Sequence, residues 1–494
     1  MDQSNQDETA DLSLAHLARL IRQKELTSAE LVQIYLDRIA RFDGPDGLNA
    51  YLTVAGEVAL QRAEELDRLA EQGRWVGPLH GLPIALKDNI DTAGMRTTCG
   101  SKILEQWRPA EDAHVVKRLK EAGAIILGKT NMHEFGWGVT TNNHHFGPTR
   151  NPYQPDHIPG GSSGGSAAAV SAALCAGALG GDSGGSIRIP AALCGVVGLK
   201  PSRGLVGRSG AAYFSFTRDC IGPITRTVAD AAIMLEAIAG YDPDDPDTSK
   251  RPLPPYSALA KSSLKGKRFG LPREYFFDLI HPDTEKVVDQ AVAAIKELGG
   301  VVTEVQVKHL DLAAATTPKI IRPEFVYHLE EQLRAFDPQA TVGRYLEQMA
   351  PDVRRNIAVE KGGPESKPVP GYVYLKAVRE DLKKITAAFD EAISGLDALI
   401  LPTTPLSAPP INDEQEAELG GQTFSAEILL TRNNEQFNNT GYPAITVPAG
   451  YCSQGLPVGL QMAARCGEDE KLLDLAYAFE QATTIRRPPR LACF

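Results

Sequence analysis

Residues 160–201 read GGSSGGSAAAVSAALCAGALGGDSGGSIRIPAALCGVVGLKP. Two glycine–serine clusters, Gly160–Ser166 and Gly180–Ser186, bracket the small-residue run Ala167–Leu179. Such a run brings little bulk to a core, but it lets backbones approach closely, and glycine permits turns that other residues resist. The stretch does not read as a flexible linker. Ile187, Ile189, Leu193, Val196 and Val197 follow the second cluster and supply apolar packing that Gly/Ser linkers lack. Ser162, Ser163 and Ser186 stand out as candidate nucleophiles. A serine hydroxyl is a weak nucleophile until a base takes its proton, so the chain must supply that base.

Three patterns compete. Gly160–Gly164 fits G-x-S-x-G, the nucleophile elbow of α/β-hydrolases, which needs a histidine late in the chain; none follows His328. Gly181–Gly185 resembles the serine motif of trypsin-like proteases, which place a histidine and an aspartate upstream. His80, His114 and His133 lie upstream, but none sits in that family's local pattern. The third pattern is a serine activated by lysine. Pro83–Leu86 reads as a short apolar strand that delivers Lys87 inward, with Asp88, Asn89 and Asp91 as polar followers. Burial lowers a lysine's pKa, and a neutral amine can act as a base.

These segments together resemble the amidase signature family. The likeness rests on GGSSGGS, DSGGSIR, the CGVVGLKPSRG tail and LHGLPIALKDNID around Lys87. The resemblance implies a Ser-Ser-Lys catalytic group. The nucleophile falls on Ser186, the bridging serine, carried on a cis peptide bond, on Ser162, and the base on Lys87. It places the oxyanion hole at the backbone N–H groups of Ser183, Gly184, Gly185 and Ser186. It puts Met132 and Phe135 of the GKTNM-EF segment near the substrate, with Trp137, Gly161, Ile189 and Phe214 as further pocket candidates. Asp182 and Arg188 would brace the loop rather than react.

Composition is that of an ordinary water-soluble enzyme, 43% hydrophobic and 23% charged over 494 residues. A formal net charge of -11 argues against nucleic-acid or anionic-membrane partners. The polar, acidic start MDQSNQDETADLS is neither a signal nor a transit peptide, and no apolar run spans a membrane. Seven scattered cysteines without a C-x-x-C pair suit a reducing, cytoplasmic setting and argue against disulfides or zinc. No metal or cofactor is expected. The expected partner is a small-molecule amide, met by the chain alone or as a homodimer.

Helical spacing is read at 12–40, with a capping box at Thr27–Glu30, and again at Val58–Gln72, His114–Ala122, Val228 onward, Glu285–Leu298 and Glu470–Gln481. Strands are read at Ala124–Leu127, Arg268–Leu271, Val301–Val307, Leu399–Thr404, Pro443–Gly450 and Gly455–Gln461. GAIILGKT matches the Walker A pattern, but its intervening residues are themselves a strand, so a phosphate loop is rejected. Gly362–Gly371 and Asn412–Gly421 read as loops. Helix–turn–strand units favour an α/β fold with helices on both faces of a sheet. The family likeness implies a single α/β/α domain with a large twisted mixed sheet. It would divide into N-terminal helices at 12–75, a catalytic core at 79–240, a variable substrate-access region at 308–425, and C-terminal strands and a helix at 438–483.

The expected activity is hydrolysis of linear, non-peptide amides through an acyl-enzyme. Esters and carbamates (urethanes) would be side substrates, because they pass through a similar oxyanion. Ile189 stands where the transamidosome-type relatives usually carry a polar glutamine, and with Met132, Phe135, Trp137 and Phe214 nearby this suggests apolar or aryl substrates. The alternative is the glutamine-hydrolysing component of a glutamyl-tRNA amidotransferase. There the family carries an aspartate seven residues before the asparagine that matches Asn438, and Thr431 falls at that place.

Overall fold

The computed structural model describes residues 3–259, 263–360, 368–412 and 416–494. Among the described residues eleven strands build one sheet. They are β1 (Tyr51–Val54), β2 (Pro83–Lys87), β3 (Ile125–Thr130), β4 (Gly177–Asp182), β5 (Val197–Lys200), β6 (Cys220–Thr225), β7 (Arg268–Leu271), β8 (Val301–Glu304), β9 (Ala398–Pro402), β10 (Ala444–Tyr451) and β11 (Pro457–Ala463). The order across the sheet is β1-β3-β2-β4-β6-β5-β10-β11-β9-β7-β8. β2 runs parallel to β3 and β4, and β7 runs parallel to β8 and β9. The remaining pairs are antiparallel. The sheet is therefore mixed, and helices cover it. Its central strands are buried along their whole length, which is why they read as continuous apolar runs rather than alternating ones.

Most elements follow the local signals. Thr27 caps the helix Ser28–Phe42 with a complete capping box, its side chain accepting from the Glu30 N–H while the Glu30 carboxylate accepts from the Thr27 N–H. The helices Gly56–Glu71, His114–Glu121, Val228–Ile238, Pro282–Glu297 and Asp469–Thr483 lie where apolar spacing places them. Lys129, the lysine of the Walker-like segment, is buried in β3 and donates to Ile90 O and Thr97 Oγ1, so it holds no phosphate loop.

Two expectations change. The segment at Asn412–Gly421 contains a strand, Glu416–Leu419, which pairs with Gln422–Ser425 as a small hairpin. Its polarity misled because the hairpin is half-exposed and alternates, burying Ala417 and Leu419 while Glu416 and Glu418 face out. Residues 413–415 and 362–367 lie outside the described residues. Gly371 opens the helix Gly371–Lys376 instead of ending a loop. The small-residue run becomes a fully buried helix, Gly164–Ser171, feeding β4. A Cβ at Gly165 would sit 2.4 Å from Asn131 O and 2.6 Å from Ala50 O, so this helix needs glycine to lie against neighbouring backbone.

No helix of the described residues is long and apolar enough to cross a membrane, and no group of three or more metal-ligating side chains occurs among them.

Candidate active site

β2 ends at Lys87, and β4 ends at Asp182 just before the loop that carries Ser186. These adjacent parallel strands bring the two segments together. Lys87 is 2% exposed, and its Nζ donates to Ser162 Oγ at 2.7 Å and to Gly181 O at 3.4 Å. Burial lowers the Lys87 pKa to about 8, against the opposing charges of Asp182 and Asp219. The Gly161–Ser162 peptide bond is cis. Ser163 N–H donates to Ser186 O at 3.2 Å, which ties the two serine clusters by their backbones. Among the described residues, no hydrogen bond runs on from Ser162 Oγ to Ser186 Oγ.

The polar followers of Lys87 divide. Asn89 lines the same small cavity as Lys87. Asp88 does not face the amine: its carboxylate accepts from Thr98 N–H and Gly100 N–H, and its charged neighbour is Lys129. Strand geometry explains this, since successive residues point to opposite faces. Asp91 likewise couples to Lys129.

Asp182 organises the Ser183–Arg188 loop from below. Its carboxylate accepts from Gly185 N–H at 2.8 Å, from Ile187 N–H at 3.1 Å and from Arg188 Nε at 3.0 Å. Burial alone would raise its pKa, but the Arg188 guanidinium outweighs that and holds the carboxyl well below the usual range. Arg188 is itself wholly buried and donates onward to Asn434 O, Gln461 Oε1 and Asn438 Oδ1 at 3.0, 2.7 and 2.7 Å. The loop is thus pinned to the C-terminal third of the chain. The Gly185 N–H is committed to Asp182, whereas the N–H groups of Ser183, Gly184 and Ser186 have no hydrogen-bond partner among the described residues. Ser183 Oγ donates to Asp219, whose carboxyl burial pushes up to about 6.

The pocket candidates separate into two sets. Phe135 and Phe214 line a cavity of about 30 Å³ with Lys87 and Ser162, room for a water or two. Trp137 lines a larger neighbouring cavity of about 830 Å³. It stacks edge-on against Phe214 and Phe325, with centroids 5.0 and 4.4 Å apart. Met132, Gly161 and Ile189 line neither cavity. Met132 is buried beneath Asn143 and Gly100, Gly161 packs on the Val139 and Thr140 backbone and the Thr141 hydroxyl, and Ile189 is wholly buried behind Gly185.

The strap Phe135–Gly138 separates the two cavities and is anchored by residues that the sequence reading did not single out. Glu134, 1% exposed, binds His145 Nε2 at 2.7 Å and accepts from Ala350 N–H at 2.7 Å. His133 Nε2 lies 2.7 Å from Asp352 Oδ2. The larger cavity is lined by charge: Asp311, Arg322, Asp352, Arg355, Glu427, Arg432 and Glu435 contribute to its walls. Asp311, Arg322, Asp352 and Arg355 fall within the 308–425 region that the family likeness assigns to substrate access, whereas Glu427, Arg432 and Glu435 lie beyond it and carry no such signal.

Residues 30–473 match the Amidase family model. The chain belongs to the amidase family. It is 41% identical to a component of the glutamyl-tRNA(Gln) amidotransferase of Moorella thermoacetica, over 97% of this chain and 98% of that one. Its structure is similar to the peptide amidase of Stenotrophomonas maltophilia, with a TM-score of 0.85 and 35% identity, covering 97% of this chain and 98% of that one. It is also similar to a bacterial aryl acylamidase, with a TM-score of 0.86 and 27% identity, covering 96% of each. As a member of the amidase family, this chain is a hydrolase of amide carbon–nitrogen bonds.

Proposed function

We propose that this amidase hydrolyses the carboxamide of a small, charge-bearing substrate, glutamine first, and releases ammonia through an acyl-enzyme on Ser186. The observation that carries the substrate class is the large cavity beside the catalytic strap, whose walls bear arginines and carboxylates. The Moorella relative, named as part of a glutamyl-tRNA(Gln) amidotransferase, supports the same reading. Of the residues behind the expectation of an apolar or aryl substrate, Ile189 and Met132 are buried away from both cavities, while Phe135, Phe214 and Trp137 do line them.

In this reading neutral Lys87 takes the Ser162 proton as Ser162 takes that of Ser186, and Ser186 Oγ attacks the carboxamide carbon. The carbonyl oxygen becomes an oxyanion held by the free N–H groups of Ser183, Gly184 and Ser186. One such donor is typically worth about two to three orders of magnitude in rate. Gly185 shapes the loop through Asp182 rather than donating. The proton returns through Ser162 to the departing nitrogen, the C–N bond breaks, and water releases the acid. Esters and carbamates, which form a similar oxyanion, are side substrates.

A second reading has its own observation. Thr431 and Trp137 stand in the cavity wall without a charge, and Phe214 and Phe325 pack against Trp137, which suits an amide with an apolar acyl group cleaved by the chain alone. Ammonia release by the purified chain from glutamine, a C-terminal peptide amide and an aryl acetamide separates the two. Glutamine preferred supports the first reading, and glutaminase activity only with a second protein chain makes this one an amidotransferase component. Preference for the uncharged amides supports the second.

A further inference from the structure

Two buried carboxylates hold the loop between β5 and β6. Glu324, on the helix Leu310–Phe336, accepts from the Ser215 hydroxyl at 2.6 Å, from Thr217 N–H at 3.1 Å and from the Tyr374 hydroxyl at 2.8 Å. Asp219, at the end of the loop, accepts from Phe214 N–H at 2.7 Å and Ser215 N–H at 3.0 Å through one oxygen. Its other oxygen accepts from the Ser183 hydroxyl, so the loop that carries Ser186 is tied to a loop anchored on a distant helix. All these donors to Asp219 are neutral, and it makes no ion pair among the described residues, whereas Asp182 is paired with Arg188. Asp219 lines the small cavity with Lys87, Ser162 and Ser183. The groups that bear on Lys87 are Asp182, Asp219 and Cys99, whose thiol burial keeps protonated. Around Asp219 stand Lys87 from β2, Asp182 from β4, Arg208, Tyr213 and Arg218 from its own loop, and Cys220 from β6. Arg208 is committed to Asp245 and Asp247 at 2.8 and 2.9 Å, and Arg218 also feels Glu324. Burial holds Asp219 at about 6, so it is ionised over most of the range in which Lys87, at about 8, loses its proton.

We propose that Asp219 is a positioning residue with two tasks: it fixes the oxyanion donor of Ser183 through the Ser183 hydroxyl, and its unneutralised charge keeps Lys87 a strong enough base. Burial alone weakens a lysine as a base, and an opposite charge close by restores its basicity. A general base works best with its proton affinity matched to the operating pH, so the charge tunes the amine rather than blocking it. The hydroxyl tie acts on the other half of the reaction, because an oxyanion donor must sit where the charge develops. The inference rests on the proposed mechanism, in which Lys87 is the base and the Ser183 N–H is an oxyanion donor.

The test reads covalent labelling of Ser186 by a fluorophosphonate across the pH range around Lys87. Labelling needs the same base and oxyanion donors as turnover but no particular acyl group. The wild-type rate should rise on a limb that Lys87→Ala removes. Asp219→Asn keeps a hydrogen-bonding partner for Ser183 but removes the charge. It should move the limb to lower pH and lower the alkaline plateau about 3- to 10-fold, as a weaker base does. Ser183→Ala keeps the charge and cuts the tie. It should leave the limb in place and lower kinact about 10- to 100-fold with little change in KI, and Ser183→Thr, which keeps the hydroxyl, should restore most of the rate. Asp91→Asn is the control: Asp91 follows Lys87 closely in sequence but bears on Lys129, so its loss should not move the limb. Melting temperatures report whether each variant is folded, and Ser183→Ala decides if Asp219→Asn is not. A Lys87-dependent limb that Asp219→Asn leaves in place, or that Asp91→Asn moves equally, overturns the proposal with the base assignment intact. So does labelling of Ser183→Ala at the wild-type rate. A limb that survives in Lys87→Ala, or no limb at all, overturns the base assignment instead and takes the proposal with it.

Discussion

Lys87 Nζ lies 2.7 Å from Ser162 Oγ, in a contact buried from solvent and spanning 75 residues of chain. The charges that bear on this amine are Asp182 and Asp219, not the aspartates that follow it in sequence. Desolvation outweighs both and leaves a lysine that gives up its proton near pH 8.

Turnover should therefore follow the deprotonation of Lys87. Below about 8 the amine is mostly charged and cannot accept a proton, so kcat/KM should rise through neutral pH and level off on the alkaline side. A histidine base would place the limb near about 6.5. Lys87→Ala should remove the limb and lower kcat/KM by roughly 10²–10⁴. Lys87→Arg should not rescue it, because a guanidinium stays charged. Near-normal turnover of Lys87→Ala with an unaltered pH profile would falsify the assignment of the base.

The two serines should respond differently to a serine-directed phosphonate. Ser186→Ala should abolish both turnover and covalent labelling. Ser162→Ala should slow turnover strongly yet retain some labelling, since in the proposed mechanism it passes protons without bonding to substrate. Peptide mapping of the wild-type adduct to Ser162 would reverse the two roles.

Asp182→Asn should destabilise the fold as well as the site. It leaves the wholly buried Arg188 guanidinium without its carboxylate, a loss that costs about 3–5 kcal/mol. The folded Asp182 carboxyl is depressed, so its contribution is present above the unfolded value of about 3.9 and fades only as pH falls through the lower folded value. Urea midpoints should separate wild type from variant by a constant margin between about pH 7 and pH 4. Superimposable urea curves would show that Arg188 finds its partners elsewhere.

Neighbouring glycines in the Ser183–Ser186 loop should differ in tolerance. Gly185 has φ +119°, and a Cβ there would sit 2.7 Å from both Asn434 Cβ and Ile189 Cδ1. Gly185→Ala should lower the melting temperature and displace the loop, and a shift of about 1 Å can cost about a hundredfold in kcat. A Cβ at Gly184 meets nothing within 4 Å, so Gly184→Ala should melt as the wild type does. Equal melting temperatures for the two variants would mean that the loop has slack the packing does not show.

Sequence by itself determined what short range decides. The apolar run Pro83–Leu86 had to be a buried strand and had to end on Lys87; Thr27 and Glu30 had to cap a helix; the small-residue run had to lie against backbone. In each case the governing interaction lies within one element or one close approach. The family motifs around Lys87, Ser162 and Ser186 were legible for the same reason, since each is a contiguous segment. Only the tertiary structure decided which charges meet. Pleating turns Asp88 away from Lys87, while pairing of β2 with β4 brings Asp182 beside it. The Gly185 N–H is committed because Arg188, Gln461 and Asn438 fix Asp182, and the last two lie more than two hundred residues further along the chain. The charged cavity is assembled from residues between Trp137 and Glu435 on separate helices and loops. No local periodicity marks such residues, because what they share is a space to face, and that space exists only once the sheet has drawn its distant segments together.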